Sequence, residues 1–266
     1  MTFQLRVKAA TKAAFYHLLG SLLVAAAAAV IVFGFWYPHP YGQLSGGLRL
    51  FLILVGVDVV CGPLLTLILF NPKKRHREVF LDMSLVIMVQ VAALAYGLHT
   101  AYQARPLFLV HEIDRFRVIG LQDYLSAGID KDIAGLDSAL RPSWRSGPLT
   151  VGIRAPRDSD ERHKVMLDSV TGGRDYSQRP DFYIAYDEAY AAKVMARAKP
   201  LSAFVAQFPS TAQEVEELAE RHQLNVDALF FLPVLHRQEW VAVLNAQGAI
   251  LGFLPGDGFA VTATKP

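Results

Sequence analysis

"FNPKKRHREV", residues 70–79, is a basic knot set in apolar sequence. Lys73, Lys74, Arg75 and Arg77 put four fixed positive charges within five residues. Before the knot, Leu50–Phe70 carries one charge, Asp58, in 21 residues; after it, Val79–Tyr102 carries one, Asp82, in 24. Further upstream, Leu18–Tyr37 is 20 residues long with no charge. A helix crosses the hydrocarbon core of a bilayer with about 20 apolar residues. The reading is therefore three transmembrane helices, at about 18–37, 50–70 and 79–102, with the knot as the loop between the second and third.

Charge asymmetry orients the spans. Arg6, Lys8 and Lys12 precede the first span, whereas the loop "PHPYGQLSGG" has no Lys or Arg. By the positive-inside rule the N-terminus and the loop at 71–78 face the cytoplasm. Lys73, Lys74, Arg75 and Arg77 then act as a topology anchor, in reach of anionic membrane lipids. Phe35, Trp36, Tyr37 and Tyr41 fall where an interfacial aromatic belt lies on the opposite side. The apolar stretch continues past the Ala25–Ala29 run through "VIVFGFWY", too long for a cleaved leader, which favours an uncleaved signal anchor. An odd number of spans exports everything after Tyr102.

Composition divides the chain the same way. Of its 266 residues, 53% are hydrophobic, and the mean hydropathy is positive. Residues 1–104 hold eight Lys/Arg and three acids, while 105–266 hold 18 and 21. The overall +2 is the sum of a basic apolar front and a mildly acidic, ordinary back, which excludes a nucleic-acid-binding globule. The single cysteine, Cys61, allows no intramolecular disulfide.

Within the spans, Asp58, Gly62 and Thr66 share one helix face at i, i+4 and i+8, and Pro63 is expected to kink the helix beside them. Gln90, Ala93 and Gly97 form a similar stripe. Intramembrane ionisable groups are costly and face protein. Such small and polar faces either hold the three spans together or receive a transmembrane helix of a partner. Asp58, Gly62 and Thr66 are the candidate partner-helix contact.

The exported part, 105–266, reads as α+β with a small antiparallel sheet and helices on one face. "PLFLVHEIDRFRVI" (106–119) reads as strand with a bend near Asp114, "PLTVGIRA" (148–155) as strand and "FYIAY" as a short strand. Helices are expected over Ala127–Leu140, over 158–170 behind an Asp cap, from Asp187 to a stop at Pro200, and after Ser210 or Thr211. "LFFLPVL", "EWVAVLN" and "GAILGFLP" are the last strands, with "NAQG" (245–248) as a hairpin turn. Span 3 runs almost directly into Arg105–Pro106, so this domain is expected close to the bilayer.

Catalytic patterns are missing. There is no HExxH, CxxC, GxSxG, Walker loop or GxGxxG, and the eight histidines are scattered. His111 and Glu112 are neighbours on a strand and point to opposite faces. "PGDG" (255–258) is turn chemistry, and "HEIDRFR" reads as a solvated, charge-paired face. The chain is expected to be no enzyme, with no catalytic residue, metal or cofactor. The alternatives are a periplasm-facing enzyme acting on an envelope polymer and a membrane sensor signalling through partner spans.

Three blocks carry a resemblance: "DVVCGPLLTLILFNPKK" (58–74), "LDMSLVIMVQVAALAYGLHTAYQARPLFLVHEIDRFRVI" (81–119) and "FLPVLHRQEWVAVLNAQGAILGFLP" (231–255). In their order they resemble the type IV pilin accessory proteins of the TfpX/TfpZ kind. The resemblance implies a multi-pass protein of the bacterial inner membrane with a periplasmic domain. It also implies support for the assembly of a particular pilin; the three spans and membrane-close domain add the expectation of a chaperone-like role, with the major pilin subunit as partner and the assembly machinery as a further one. It brings no catalytic residue, cofactor or nucleic acid. On this reading the spans cradle the pilin's membrane helix and the domain holds its head, with the strand segment Phe108–Val118 (Phe108, Val110, Glu112, Asp114 and Phe116) and the last hairpin as candidate head contacts.

Overall fold

The structure, a computed structural model, describes residues 3–124 and 128–261. The chain divides into two compact units, one made of the residues up to Gly42 with Gly46–Ala104, the other of Gln43–Ser45 with the residues from Arg105 on.

The first unit is helical. Helix α1 (Phe3–Ile31) runs into a π-helical turn, Val32–Trp36, closed by the Tyr37 N–H donating to the Val32 carbonyl at 2.7 Å. A single turn, α2 (Tyr41–Leu44), leads to α3 (Gly47–Leu69), and α4 (His76–Gln103) follows the basic knot. Among the described residues, three helices are thus long and apolar enough to cross a membrane. Their apolar side chains point mostly outward, as lipid-facing residues do: Leu23 is 73% exposed and Phe80 72%. Helix α3 continues through Pro63 to Leu69.

Small residues set how closely these helices approach. A Cβ on Gly62 would fall on the amide of Gln90, and one on Gly97 would fall on the side chain of Leu54. The two antiparallel helices α3 and α4 therefore interlock at two levels, which is how apolar helices gain packing energy where no hydrophobic drive exists between them. Edge-to-face rings close the far end, Phe33 with Phe51 at 5.0 Å and Trp36 with Tyr102 at 5.2 Å. At the knot, Lys74 Nζ reaches Asp82 at 2.5 Å. One charge of the basic knot therefore also neutralises the acid that opens the third apolar stretch.

The second unit is one mixed eight-stranded sheet with helices on both faces. Strands β1 (Pro106–Glu112) and β2 (Arg115–Gly120) are followed by α5 (Ile129–Ala134), β3 (Leu149–Ile153), α6 (Ser159–Val170), β4 (Tyr183–Ala185) and α7 (Glu188–Met195). Then come β5 (Lys199–Pro200), α8 (Leu201–Gln207), α9 (Ala212–Arg221), β6 (Phe230–Leu235), β7 (Trp240–Leu244) and β8 (Ile250–Pro255). The order is β4-β3-β1-β2-β6-β7-β8, with β5 beside β6.

Several expectations are corrected here. The sheet is not purely antiparallel: β1 pairs with β3, and β2 with β6, in parallel. Parallel neighbours need a crossover, and the segments between these strands supply it with α5 in one case and most of the domain in the other. The run 106–119 is two strands of a hairpin rather than one bent strand. Its imperfect alternation has a cause: β1 is buried on both faces from Pro106 to His111, and such strands read as continuous apolar runs. The helix expected over 127–140 is shorter, α5 plus a 3-10 turn at Ser138–Leu140, and Ala127 lies outside the described residues. Helix α8 starts directly after Pro200, which serves as its N-cap position rather than as a stop.

Helices cover both faces because β1 presents apolar groups to both. Phe108, Val110 and Ile119 join Val151, Tyr183 and Leu136 on one face. Farther along, Leu201 and Phe204 of α8 and Val215 of α9 pack on Phe231, Val243 and Leu254. On the opposite face, Tyr190 of α7 lies over Gly152, where a Cβ would fall 2.5 Å from its ring. Pro233, which has no N–H to offer, sits where β6 changes neighbour from β5 to β2.

Candidate functional site

Each unit carries one candidate surface. In the helical unit it is a cleft of about 240 Å³ between α1, α3 and α4, lined by His17, Ser21, Ala25, Asp58, Gln90 and Val91 among others. Two polar links frame it. His17 Nδ1 lies 2.5 Å from Thr66 Oγ1, and Gln90 Nε2 donates to the Asp58 carbonyl at 3.0 Å. Gln90 Oε1 has no partner among the described residues.

The predicted stripe is therefore divided. Thr66 is 2% exposed, turned onto His17. Gly62 is buried under Gln90. Both hold the bundle together, because their small or hydroxyl side chains are consumed by neighbouring helices. Of the three, only Asp58 is half-buried and lines the cleft. His17 was not singled out from sequence. Its signal is a histidine one residue before the uncharged run of the first helix.

Gly62→Leu puts four side-chain carbons where Gln90 lies. It is expected to push Gln90 off Asp58 and spread α3 from α4, at about 1–3 kcal/mol. Gly62→Ala needs only the end of Gln90 to swing away and should cost less. Thermal unfolding in detergent, followed by circular dichroism at 222 nm, ranks the two.

In the second unit the candidate surface is the β1–β2 hairpin. Phe108, Val110 and Phe116 are all 0% exposed. They are core residues, so their side chains offer no contact, and on this segment the expected head-contact surface narrows to Glu112 and Asp114. Asp114 Oδ1 accepts from Arg115 Nε at 2.7 Å, and Glu112 lies 3.8 Å from Arg117 Nη1. Arg117 also donates to Asp175 at 2.8 Å. "HEIDRFR" is thus a charge-paired face at the tip and a packed core below it.

Behind this hairpin four aromatic rings contact in a closed circuit. His111 meets Phe116 at 5.4 Å and Tyr190 at 5.6 Å; Tyr186 meets Phe116 at 6.0 Å and Tyr190 at 5.7 Å. The Tyr190 hydroxyl accepts the Ile153 N–H at 2.9 Å and lies 3.1 Å from His111 Nδ1. His111 Nε2 is buried without a partner among the described residues. Burial pushes the imidazole down to about 4, against a weaker upward pull from Asp114. His111 is therefore neutral at pH 7 and structural. Among the described residues no group of three or more His, Cys, Asp or Glu could hold a metal ion.

Three long apolar helices followed by one mixed-sheet domain define a membrane-type protein whose polar surfaces lie at two levels of the chain, a helix cleft and a folded domain. A family model described as "Fimbrial assembly protein FimB" matches residues 5–46, which covers α1 and the first loop. The serogroup I fimbrial assembly protein of Dichelobacter nodosus is 36% identical over 257 residues, 94% of this chain and 96% of that protein. The serogroup E1 protein of the same organism is 35% identical with the same coverage. That of serogroups C1 and C2 is 46% identical over 116 residues, 44% of this chain and 88% of that protein. The chain belongs to the fimbrial assembly protein family. No solved structure matches it.

Proposed function

We propose that this protein supports assembly of type IV fimbriae from the bacterial inner membrane, as a non-enzymatic, chaperone-like holder of the fimbrial subunit. The observation that carries the reading is near full-length similarity to proteins named for fimbrial assembly. The cleft supplies a mechanism. Small residues and an intramembrane acid beside an amide are the surface that a partner's transmembrane helix packs against. The cleft's volume has room for one or two side chains of such a helix. The basic N-terminus and knot hold that end of the bundle in the cytoplasm, so the mixed-sheet domain faces the periplasm, with lipid headgroups around Lys73, Arg75 and Arg77.

The test is a deletion in the native strain, scored for surface fimbriae and for total subunit by immunoblot. Loss of both supports a holder that protects the subunit in the membrane. Lost fimbriae with normal subunit moves the role to a later assembly or retraction step. Normal fimbriae and subunit, where the gene is expressed, refutes the reading. Asp58→Leu is expected to insert and fold yet reduce fimbriation several-fold. Full fimbriation by that variant refutes the cleft as the helix contact.

A further inference from the structure

Ile113, at the tip of the β1–β2 hairpin, is hard to explain by the fold of the domain that carries it. Its φ is +58°, and the Asp114 N–H donates back to the Glu112 carbonyl at 2.8 Å. This is a three-residue turn with a β-branched residue at its left-handed centre, a rare and strained arrangement that glycine would relieve. Ile113 is also 73% exposed. It contributes nothing to the core and works against its own turn. Strain of this kind persists where something other than folding benefits from it.

The surroundings indicate what that is. Arg115 stacks its guanidinium over Phe259 at 4.6 Å, and Phe259 is 40% exposed. Glu112, Asp114 and Asp175 pair with Arg115 and Arg117 around the tip. An apolar anchor beside an aromatic–arginine stack, ringed by ion pairs, has the composition of a protein-binding hot spot and its rim. The rim has no positive excess, so it has no electrostatic pull toward anionic lipid.

We propose that the β1–β2 hairpin tip is a protein-docking knob, with Ile113 as its apolar anchor and the exported part of the fimbrial subunit as its partner. This rests on the reading above that the protein holds that subunit. The subunit would offer an apolar socket with a charged rim. The strained turn holds the side chain outward before contact, so little ordering is left for binding to cost.

The experiment uses the full-length protein in fimbriated cells. A photo-crosslinking benzoylphenylalanine replaces Ile113, Val91 in the helix cleft, or Val170 on the exposed end of α6. A crosslink from 113 to the fimbrial subunit, absent from 170, is the expected result. In parallel, Ile113→Gly should leave the thermal midpoint unchanged or higher, yet cut co-purified subunit about tenfold or more, the loss of one buried isoleucine. A subunit crosslink from 91 but not from 113 overturns the knob and leaves the functional reading standing. No subunit crosslink from either position overturns both. A crosslink from 113 to lipid or to a second copy of the chain also overturns it, as does undiminished subunit with Ile113→Gly.

Discussion

Tyr190→Ala is expected to cost about 3–5 kcal/mol of folding free energy in the mixed-sheet domain. Tyr190 is 7% exposed. Its ring fills the notch that Gly152 leaves in β3. Its hydroxyl accepts the Ile153 N–H at 2.9 Å and faces His111 Nδ1 at 3.1 Å. Removing the side chain opens a cavity between α7 and the sheet and leaves a buried N–H and an imidazole without partners. Tyr190→Phe keeps the ring and removes only the hydroxyl, so it should cost less, about 1–3 kcal/mol. Urea unfolding of the detergent-solubilised protein, followed by near-ultraviolet circular dichroism, measures both. Equal losses for the two variants would mean that the hydroxyl, and not ring packing, holds α7 down.

The second large effect is a loss of stability in acid. His111 titrates at about 4 in the folded domain, whereas an unperturbed histidine titrates near 6.5. Between these values the unfolded chain binds a proton that the folded chain refuses. Stability therefore falls as pH falls through this window, by about 1.4 kcal/mol per pH unit and about 3 kcal/mol in all by pH 4. Above pH 6.5 this contribution is fully present. His111→Leu should flatten the decline between pH 6.5 and 4.5 relative to the parent protein. Below pH 4.5 a different group takes over: Arg154 holds Glu161 down to about 2 through two hydrogen bonds of 2.9 Å. That carboxylate's support is lost only as pH falls toward 2, so comparing the two proteins above pH 4.5 isolates the histidine. Identical slopes would show that His111 is not held neutral by burial.

Neither effect is legible in the sequence, where His111 is weighed only as a possible ligand beside Glu112 and set aside. Tyr190 reads as one apolar position in a helix, and His111 as one of eight scattered histidines. Their importance comes from a contact 79 residues apart along the chain. The stripe Asp58/Gly62/Thr66 was visible by its four-residue spacing. Which member stays open was not, because His17 and Gln90 come from other helices to claim Thr66 and Gly62. Along the hairpin, Glu112, Asp114 and the three buried residues were all read as one candidate surface. Strand alternation could not separate them, since β1 is covered on both sides. Ile113 escaped notice because a branched apolar residue between charged neighbours, in a segment that reads as strand, carries no sign of its left-handed backbone.

The sequence by itself determined the three long apolar helices, the basic knot between the second and third, and the change to a folded domain after residue 104. It also marked the last three strands. These features are local: a helix satisfies its own backbone hydrogen bonds within one segment, and its hydropathy is written in about 20 consecutive residues. Only the tertiary structure decided the parallel pairing of β2 with β6 across more than 100 residues. It alone decided the helix on the second face of the sheet, the division of the polar stripe, and the strained tip at Ile113. Each of those depends on which distant side chain arrives to fill a space, and spacing within one segment holds no record of that.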